Sequence, residues 1–177
     1  LMNRWIMAGM LTVALLLSAS VASASHSWGS YHWARTSNPF TLKLVDSVKS
    51  SSTADWDSHL SVASTDWSLS DVLDATIVAG LDDSNTRKQC KAVNGRIRVC
   101  NALYGFNGWL GLAQIWISGN HIYQGIAKMN DSYMDNPKFI TPYETPAWRQ
   151  FVMCQEIGHP FGLDHQDVTF DNPNLGS

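Results

Sequence analysis

The sequence has no basic run and no stretch in which basic and aromatic residues alternate. Its 12 Lys and Arg residues are outnumbered by 15 Asp and Glu residues, which gives a formal net charge of -3 at pH 7. Proteins that bind nucleic acid carry basic patches that neutralise phosphates, so we expect no nucleic-acid partner. Internal repeats and low-complexity segments are also lacking, and a chain of 177 residues is long enough for one domain with a sizeable core.

Long apolar runs are lacking except at the N-terminus. Arg4 precedes a mostly apolar stretch over residues 6–17, and Ala22-Ser23-Ala24 forms a small-residue cleavage site. This pattern is typical of a secretory signal peptide, and the run is short for a membrane-spanning helix. We predict a signal peptide over residues 1–24 and a secreted mature domain over residues 25–177, with no stable membrane association after cleavage. The alternative is an uncleaved N-terminal anchor.

Cysteine is scarce, with three residues in the chain. Cys90 and Cys100 bracket KAVNGRIRV, in which Asn94-Gly95 predicts a hairpin turn. Strands folding back about that turn would bring both thiols together, and an oxidising compartment would let them form a disulfide. Two free buried thiols are the alternative. Cys154 is then left without a partner.

Two features of the termini suggest an incomplete chain. The sequence begins with Leu1 rather than Met, and it ends in DNPNLGS, a loop-like stretch with no closing element. We therefore expect further sequence beyond residue 177, and we expect the partner of Cys154 to lie there.

The order of predicted elements indicates an α/β (α+β) fold. A leading polar and aromatic segment precedes strands predicted at FTLKLVDSV, ATIVAG, RIRVCNALYG, LAQIWIS and HIYQGIAKMN. One helix is predicted at WDSHLSVASTDW, between the first two of these strands. A last helix begins at Pro146 after Thr145 as its N-cap, with an apolar face of Trp148, Phe151 and Val152.

Glutamate is the scarcest acid, and one of the two glutamates lies in a motif near the C-terminus, CQEIGHPFGLDHQD. On a helix, Gln155 and His159 lie one turn apart and point the same way, with Glu156 beside them. A bend at Gly162 would bring His165 back to the same centre. The alternative is a buried helix end with solvent-facing histidines.

The stretch QEIGHPFGLDH resembles the zinc-binding signature H-E-x-x-H-x-x-G-x-x-H of metzincin metallopeptidases, closest to matrixin-like secreted forms. It matches at Glu156, His159, Gly162 and His165, and it has Gln155 where the family has its first histidine. The resemblance implies a twisted mixed sheet with packed helices, the last of which carries the metal motif. It also implies an edge strand along the substrate cleft, for which HIYQGIAKMN is correctly placed.

The family has a methionine-containing turn after the third histidine, and no Met follows His165. We interpret this difference as truncation of the domain before that turn.

The resemblance implies a secreted zinc-dependent endopeptidase that acts on protein or peptide substrates. Glu156 would be the general base, His159 and His165 would hold Zn²⁺, and Gln155 would be a third, weaker ligand because zinc prefers imidazole to an amide oxygen. Pro160 predicts that the helix ends early. The alternatives are a secreted non-catalytic module that has kept the fold and lost the metal, and a calcium-bound structural domain.

Other polar and aromatic residues are assigned plainer roles. His121 is interpreted as a structural strand histidine, with a metal or substrate contact as the alternative. Asn130-Asp131-Ser132 is a glycosylation sequon in a host that glycosylates. Acidic pairs in predicted turns, Asp82 with Asp83 and Asp131 with Asp135, lack the spacing of a calcium site. Core or sheet positions, rather than a sugar-binding surface, are predicted for Trp56, Trp67, Trp109, Trp116 and Trp148.

Overall fold

The computed structural model describes residues 27–136 and 142–165, so the predicted signal peptide and the chain from residue 166 onward lie outside the described part. Along the chain the elements are β1 (His32–Trp33), β2 (Phe40–Ser47), α1 (Trp56–Trp67), β3 (Leu73–Ala79), α2 (Ser84–Gln89), β4 (Arg96–Ala102), β5 (Gly111–Ser118), β6 (His121–Asn130), α3 (Asp131–Met134) and α4 (Pro146–Gly158). A 3₁₀ turn, His159–Phe161, follows α4.

The six strands form one mostly parallel sheet in the order β1-β6-β4-β2-β3, and β5 pairs with β6 antiparallel. The expected mixed α/β class is therefore confirmed. The expectation that HIYQGIAKMN is an edge strand is wrong, because β6 pairs with β5 on one side and with β4 and β1 on the other. The strand that borders the sheet next to α4 is β5, which pairs with β6 alone in the described part.

The apolar core lies between the sheet and the two long helices, which contact each other. The buried face of α4 is formed by Val152, Met153 and Ile157. The predicted face is therefore wrong in part, since the Phe151 side chain is 49% exposed. The buried apolar face of α4 is shifted by one position from the predicted one, because Met153 and Ile157, four residues apart, both lie in the core.

The ends of α4 follow local sequence rules. Thr145 Oγ1 accepts a hydrogen bond from Trp148 N at 3.3 Å, and Pro146 occupies the first turn, as predicted. The helix ends at Gly158, which agrees with the early end predicted from Pro160. His159 nevertheless keeps right-handed helical angles (φ -58, ψ -50), so its side chain stays on the helical spiral.

The predicted disulfide between Cys90 and Cys100 is present, with Cα atoms 6.0 Å apart. The turn at Asn94-Gly95 is present, with Arg96 N donating to the Val93 carbonyl oxygen at 3.1 Å. The predicted hairpin is nevertheless wrong, because residues 90–93 form no strand and follow directly on helix α2. Asp83 caps α2 by accepting from the N–H groups of Asn85 and Thr86, and this cap favours a helix. Cys154 is a free, half-buried thiol in the described chain.

Replacing both bonded cysteines, in Cys90→Ala/Cys100→Ala, should lower the free energy of unfolding by about 2–3 kcal/mol, because the bond closes a short loop in the unfolded chain. Urea unfolding of the oxidised protein measures this loss. Cys154→Ala is the matched control, since it removes a thiol without removing a crosslink. Equal stability of wild type with and without reductant would contradict the prediction.

The predicted glycosylation sequon is buried in the folded chain. Asn130 has no exposed surface. Its Nδ2 donates to the carbonyl oxygens of Gly105 at 2.9 Å and Trp109 at 3.1 Å, and its Oδ1 accepts from Tyr104 N at 3.2 Å. This amide therefore fixes the loop that leads into β5.

Asp131 is 6% exposed beneath the same loop. Its two carboxyl oxygens accept from Trp56 Nε1 at 2.9 Å and from Asn101 Nδ2 at 2.8 Å. Burial, reinforced by the nearby Asp135 carboxylate, outweighs these two donors and raises the pKa of Asp131 to about 7. The predicted turn acid is therefore a structural hydrogen-bond acceptor.

This raised pKa predicts that stability falls as the pH rises through about 7, because the folded state keeps a proton on Asp131 that the unfolded state releases near pH 4. Between pH 5 and pH 8 the loss from this group should be about 2 kcal/mol. Urea unfolding at both pH values measures it. Asp131→Asn should reduce the difference in unfolding free energy between pH 5 and pH 8. An undiminished difference would contradict the raised pKa of Asp131.

Candidate active site

A cleft of about 880 Å³ opens between the start of β5, helix α4 and the segment before β1. Residues 109–113 form one wall, and the C-terminal half of α4 with its following turn forms the other. The cleft is rich in aromatic side chains, which are Trp28, Trp67, Trp109, Tyr143, Trp148 and Phe151. The polar residues of QEIGHPFGLDH also line it: Gln155, Glu156, His159, Asp164 and His165.

The bend predicted at Gly162 is present and brings the motif together. Gly162 has φ 104 and ψ 17, a left-handed conformation that glycine adopts without steric cost. A Cβ atom at this position would lie 2.5 Å from the Tyr31 carbonyl oxygen. After this bend the chain returns alongside α4, so His165 reaches the last turn of the helix.

The donor atoms of the motif converge. Gln155 Nε2 lies 2.9 Å from His165 Nε2. The rings of His159 and His165 have centroids 4.7 Å apart and planes inclined at 73°. His159 Nδ1 lies 2.9 Å from the Leu163 carbonyl oxygen. Because a carbonyl can only accept, Nδ1 of His159 carries the proton and Nε2 keeps its lone pair.

The spacing of the two imidazoles can be compared with that of two ligands on one zinc ion. Two imidazoles bound to one zinc at about 2.1 Å have ring centroids about 4.6–5.3 Å apart and donor atoms about 3.0–3.4 Å apart. The 4.7 Å between the ring centroids of His159 and His165 lies inside the first range and is also an ordinary edge-to-face distance, and the 2.9 Å between Gln155 Nε2 and His165 Nε2 is a hydrogen-bond distance. A half-turn of the Gln155 amide would present its oxygen in place of its nitrogen.

Beside the two imidazoles, the third polar group of the motif is the side-chain amide of Gln155. Across residues 27–136 and 142–165, no group of three or more His, Cys, Asp and Glu side chains is placed to hold a metal ion. The amide of Gln155 lies beside the imidazole of His165, and an amide oxygen is a weaker zinc ligand than imidazole.

Glu156 lies against the cleft and is 7% exposed. Burial raises the pKa of its carboxyl group to about 7. Within the described chain, no basic side chain forms a salt bridge with it. β5 approaches so closely that a methyl group on Gly111 would collide with the Glu156 side chain, with Oε1 only 2.7 Å from the added atom. The absence of a side chain at Gly111 therefore provides the space for this carboxyl group.

Tryptophans anchor the turn that follows α4. Trp33 Nε1 donates to the Pro160 carbonyl oxygen at 2.7 Å, and the backbone N–H of Trp28 donates to the Gly162 carbonyl oxygen, also at 2.7 Å. These bonds fix both sides of the bend. They also place the segment before β1 against the turn that carries the histidines.

The roles predicted for the tryptophans are correct only in part. Trp56 is fully buried in the core and Trp116 lies in β5, as predicted. Trp67 and Trp148 pack against the core, as predicted, and also line the cleft, whereas Trp109 lines the cleft from the loop before β5. The position of Trp109 after a glycine-containing bend and just before a strand is the signal that could have identified it as a cleft residue.

No protein-family model matches the sequence, and no curated protein or solved structure is significantly similar to it. In the described residues, no helix is both long and apolar enough to cross a bilayer. The functional argument therefore depends on the geometry of the cleft and on the motif within it.

Proposed function

We propose that the protein is a secreted, metzincin-like zinc endopeptidase that hydrolyses protein or peptide substrates. The observation that carries this proposal is the convergence of Gln155, His159 and His165 in one cleft with the buried carboxyl group of Glu156. A buried acid without a described cation partner is costly to a fold. A catalytic role explains why it lines the same cleft as two histidines.

Each polar side chain of the cleft would have a separate role in peptide hydrolysis. His159 and His165 would hold the zinc through Nε2, with the Gln155 amide oxygen as third ligand. The zinc would polarise a carbonyl group and acidify a water molecule. Glu156 would accept the proton of the attacking water and deliver it to the leaving amine. The aromatic walls of the cleft would exclude bulk water around these groups.

Strand β5 is suited to hold a substrate. Its first residues, Gly111, Leu112 and Ala113, border the cleft, and β6 is its only strand partner in the described chain. An extended peptide could add to the other edge through main-chain hydrogen bonds, while the cleft receives its side chains. A mostly parallel sheet with an antiparallel border strand and a motif-bearing last helix also supports a metzincin-like fold.

Metal analysis of the mature protein, combined with an assay of casein cleavage, tests the proposal. We expect one zinc per chain and cleavage that a chelator abolishes and zinc restores. His159→Ala should lower both zinc content and cleavage, because it removes an imidazole ligand. Absence of zinc together with absence of cleavage would overturn the proposal.

The rival function is a secreted module without catalysis, and Gln155 in place of a histidine is the observation that favours it. Gln155→His separates the two. If wild type is an enzyme, the variant should bind zinc about 10–100-fold more tightly and remain active. If wild type is the non-catalytic module, only the variant should bind zinc and cleave. Gln89→His is the matched control and should change neither property, because Gln89 is exposed on α2 and its Nε2 donates to Asn85 Oδ1, away from the cleft.

A further inference from the structure

A second pair of histidines lies on the sheet, outside the cleft. β1 and β6 pair in parallel with His32 directly opposite His121, so both side chains project from the same face. Their rings have centroids 4.9 Å apart and planes inclined at 85°. Both residues are exposed. His121, interpreted from the sequence as an isolated structural histidine, therefore has an imidazole partner from a distant part of the chain.

One ring of this pair is oriented by a backbone group. His32 Nδ1 lies 2.8 Å from the Ser30 carbonyl oxygen. Because the carbonyl can only accept, Nδ1 donates and Nε2 keeps a lone pair for a ligand. Metal-bound histidines are commonly held in this way, with the second nitrogen donating to a carbonyl or a carboxylate.

The spacing of the two rings agrees with shared coordination. Imidazoles bound to one ion at about 2.1 Å have centroids about 4.6–5.3 Å apart, and the observed distance of 4.9 Å lies inside this range. The rings also border a surface cavity of about 760 Å³, which leaves room for water to complete the coordination sphere.

The surroundings of the pair favour one class of cation. Among the described residues that line the cavity, none is a carboxylate, and Arg35 adds a positive charge. Calcium and magnesium need oxygen ligands, usually carboxylates, so this lining disfavours them. Imidazole nitrogen is a good ligand for zinc and for its transition-metal neighbours.

We propose that His32 and His121 form a second metal site, which binds a zinc-class divalent cation and links β1 to β6. β1 has only two residues, so such a link would strengthen a short strand pairing. The segment just before β1 carries Trp28, which lines the cleft and donates to Gly162. Metal at the histidine pair would therefore hold one wall of the cleft in place from the outside.

Zinc titration of the mature chain carrying His159→Ala/His165→Ala tests this site independently of the proposed active site. This background should bind one zinc with a dissociation constant in the micromolar range, weaker than four-ligand structural sites. Adding either His32→Ala or His121→Ala should weaken binding at least about 10-fold. His59→Ala is the matched control and should leave the affinity unchanged, since His59 Nδ1 contacts Gln150 Oε1 and not another histidine.

Thermal unfolding provides a second readout. At a zinc concentration about 100-fold above its dissociation constant, the melting temperature of the background should rise by about 5 °C, and the rise should vanish in the His32 and His121 variants. His32→Phe and His121→Phe keep a ring at each position without nitrogen, so they separate loss of ligation from loss of packing.

Two results would overturn the proposal. One is that the His159→Ala/His165→Ala chain binds no zinc below millimolar concentration. This result counts against the site also when His32, His121 and Arg35 bind inorganic phosphate instead. The other is zinc binding that survives removal of either imidazole. Because the active-site histidines are absent from every variant, these results leave the proposed peptidase activity untouched.

Discussion

Glu156→Gln is expected to lower kcat/KM for peptide hydrolysis by about 10²–10⁴-fold, the range typical of removing a general acid–base group. Glutamine has almost the same shape as glutamate, so it fits the space that Gly111 leaves beside α4. It cannot accept a proton from water at neutral pH. Zinc content should remain one per chain, because the proposed ligands Gln155, His159 and His165 are unchanged. A quenched fluorescent peptide and metal analysis provide the two measurements.

Stability and a second glutamate serve as controls for this result. Glu156→Gln should melt at or above the wild-type temperature near pH 8, because it removes a carboxylate that is costly to bury. Glu144→Gln replaces the other glutamate, which lies just before α4, and should retain most of the activity. A Glu156→Gln variant that keeps more than about a tenth of wild-type kcat/KM would exclude Glu156 as the base.

Gly162→Ala is expected to cost about 2–5 kcal/mol of stability and to abolish tight zinc binding. Two effects combine in this estimate. A φ of 104 is strained for any residue with a side chain, and the new methyl group would meet the Tyr31 carbonyl oxygen at 2.5 Å. The bend must open to relieve this contact, which would move His165 away from His159. Urea unfolding and zinc titration measure the two losses.

Gly105→Ala separates backbone strain from displacement of the histidines. Gly105 has φ 93, close to that of Gly162, and a Cβ there would meet nothing within 4 Å. This control should lose about 1 kcal/mol and keep its zinc affinity. If Gly162→Ala bound zinc as tightly as Gly105→Ala, the bend would not be what positions His165.

Local chemistry explains which parts of the fold could be predicted. Thr145 and Pro146 define the start of α4 through a hydrogen-bonding side chain and a fixed φ, and both act within one turn. The cluster of motif residues follows in the same way from helical periodicity and from one glycine with a left-handed conformation. Each of these rules acts over fewer than about ten residues, so the sequence is sufficient to apply them.

The predictions that were wrong concern contacts between segments that are distant in the sequence. Asn94-Gly95 forms the predicted turn, yet residues 90–93, which would complete the hairpin, form no strand after the capped helix α2. β6 was expected at the border of the sheet, and its pairing with β1, β4 and β5 shows that strand order depends on contacts across the whole chain. The pairing of His32 with His121 could not be predicted from the sequence for the same reason.

The buried amide of Asn130 has a consequence for how the protein can be produced. Oligosaccharide transfer in a eukaryotic secretory pathway acts on chains that are still unfolded, when Asn130-Asp131-Ser132 is accessible. A sugar attached there would occupy the nitrogen that must donate to Gly105 and Trp109. Modified chains would therefore fail to close the loop before β5, and a bacterial host should yield more folded protein than a glycosylating one.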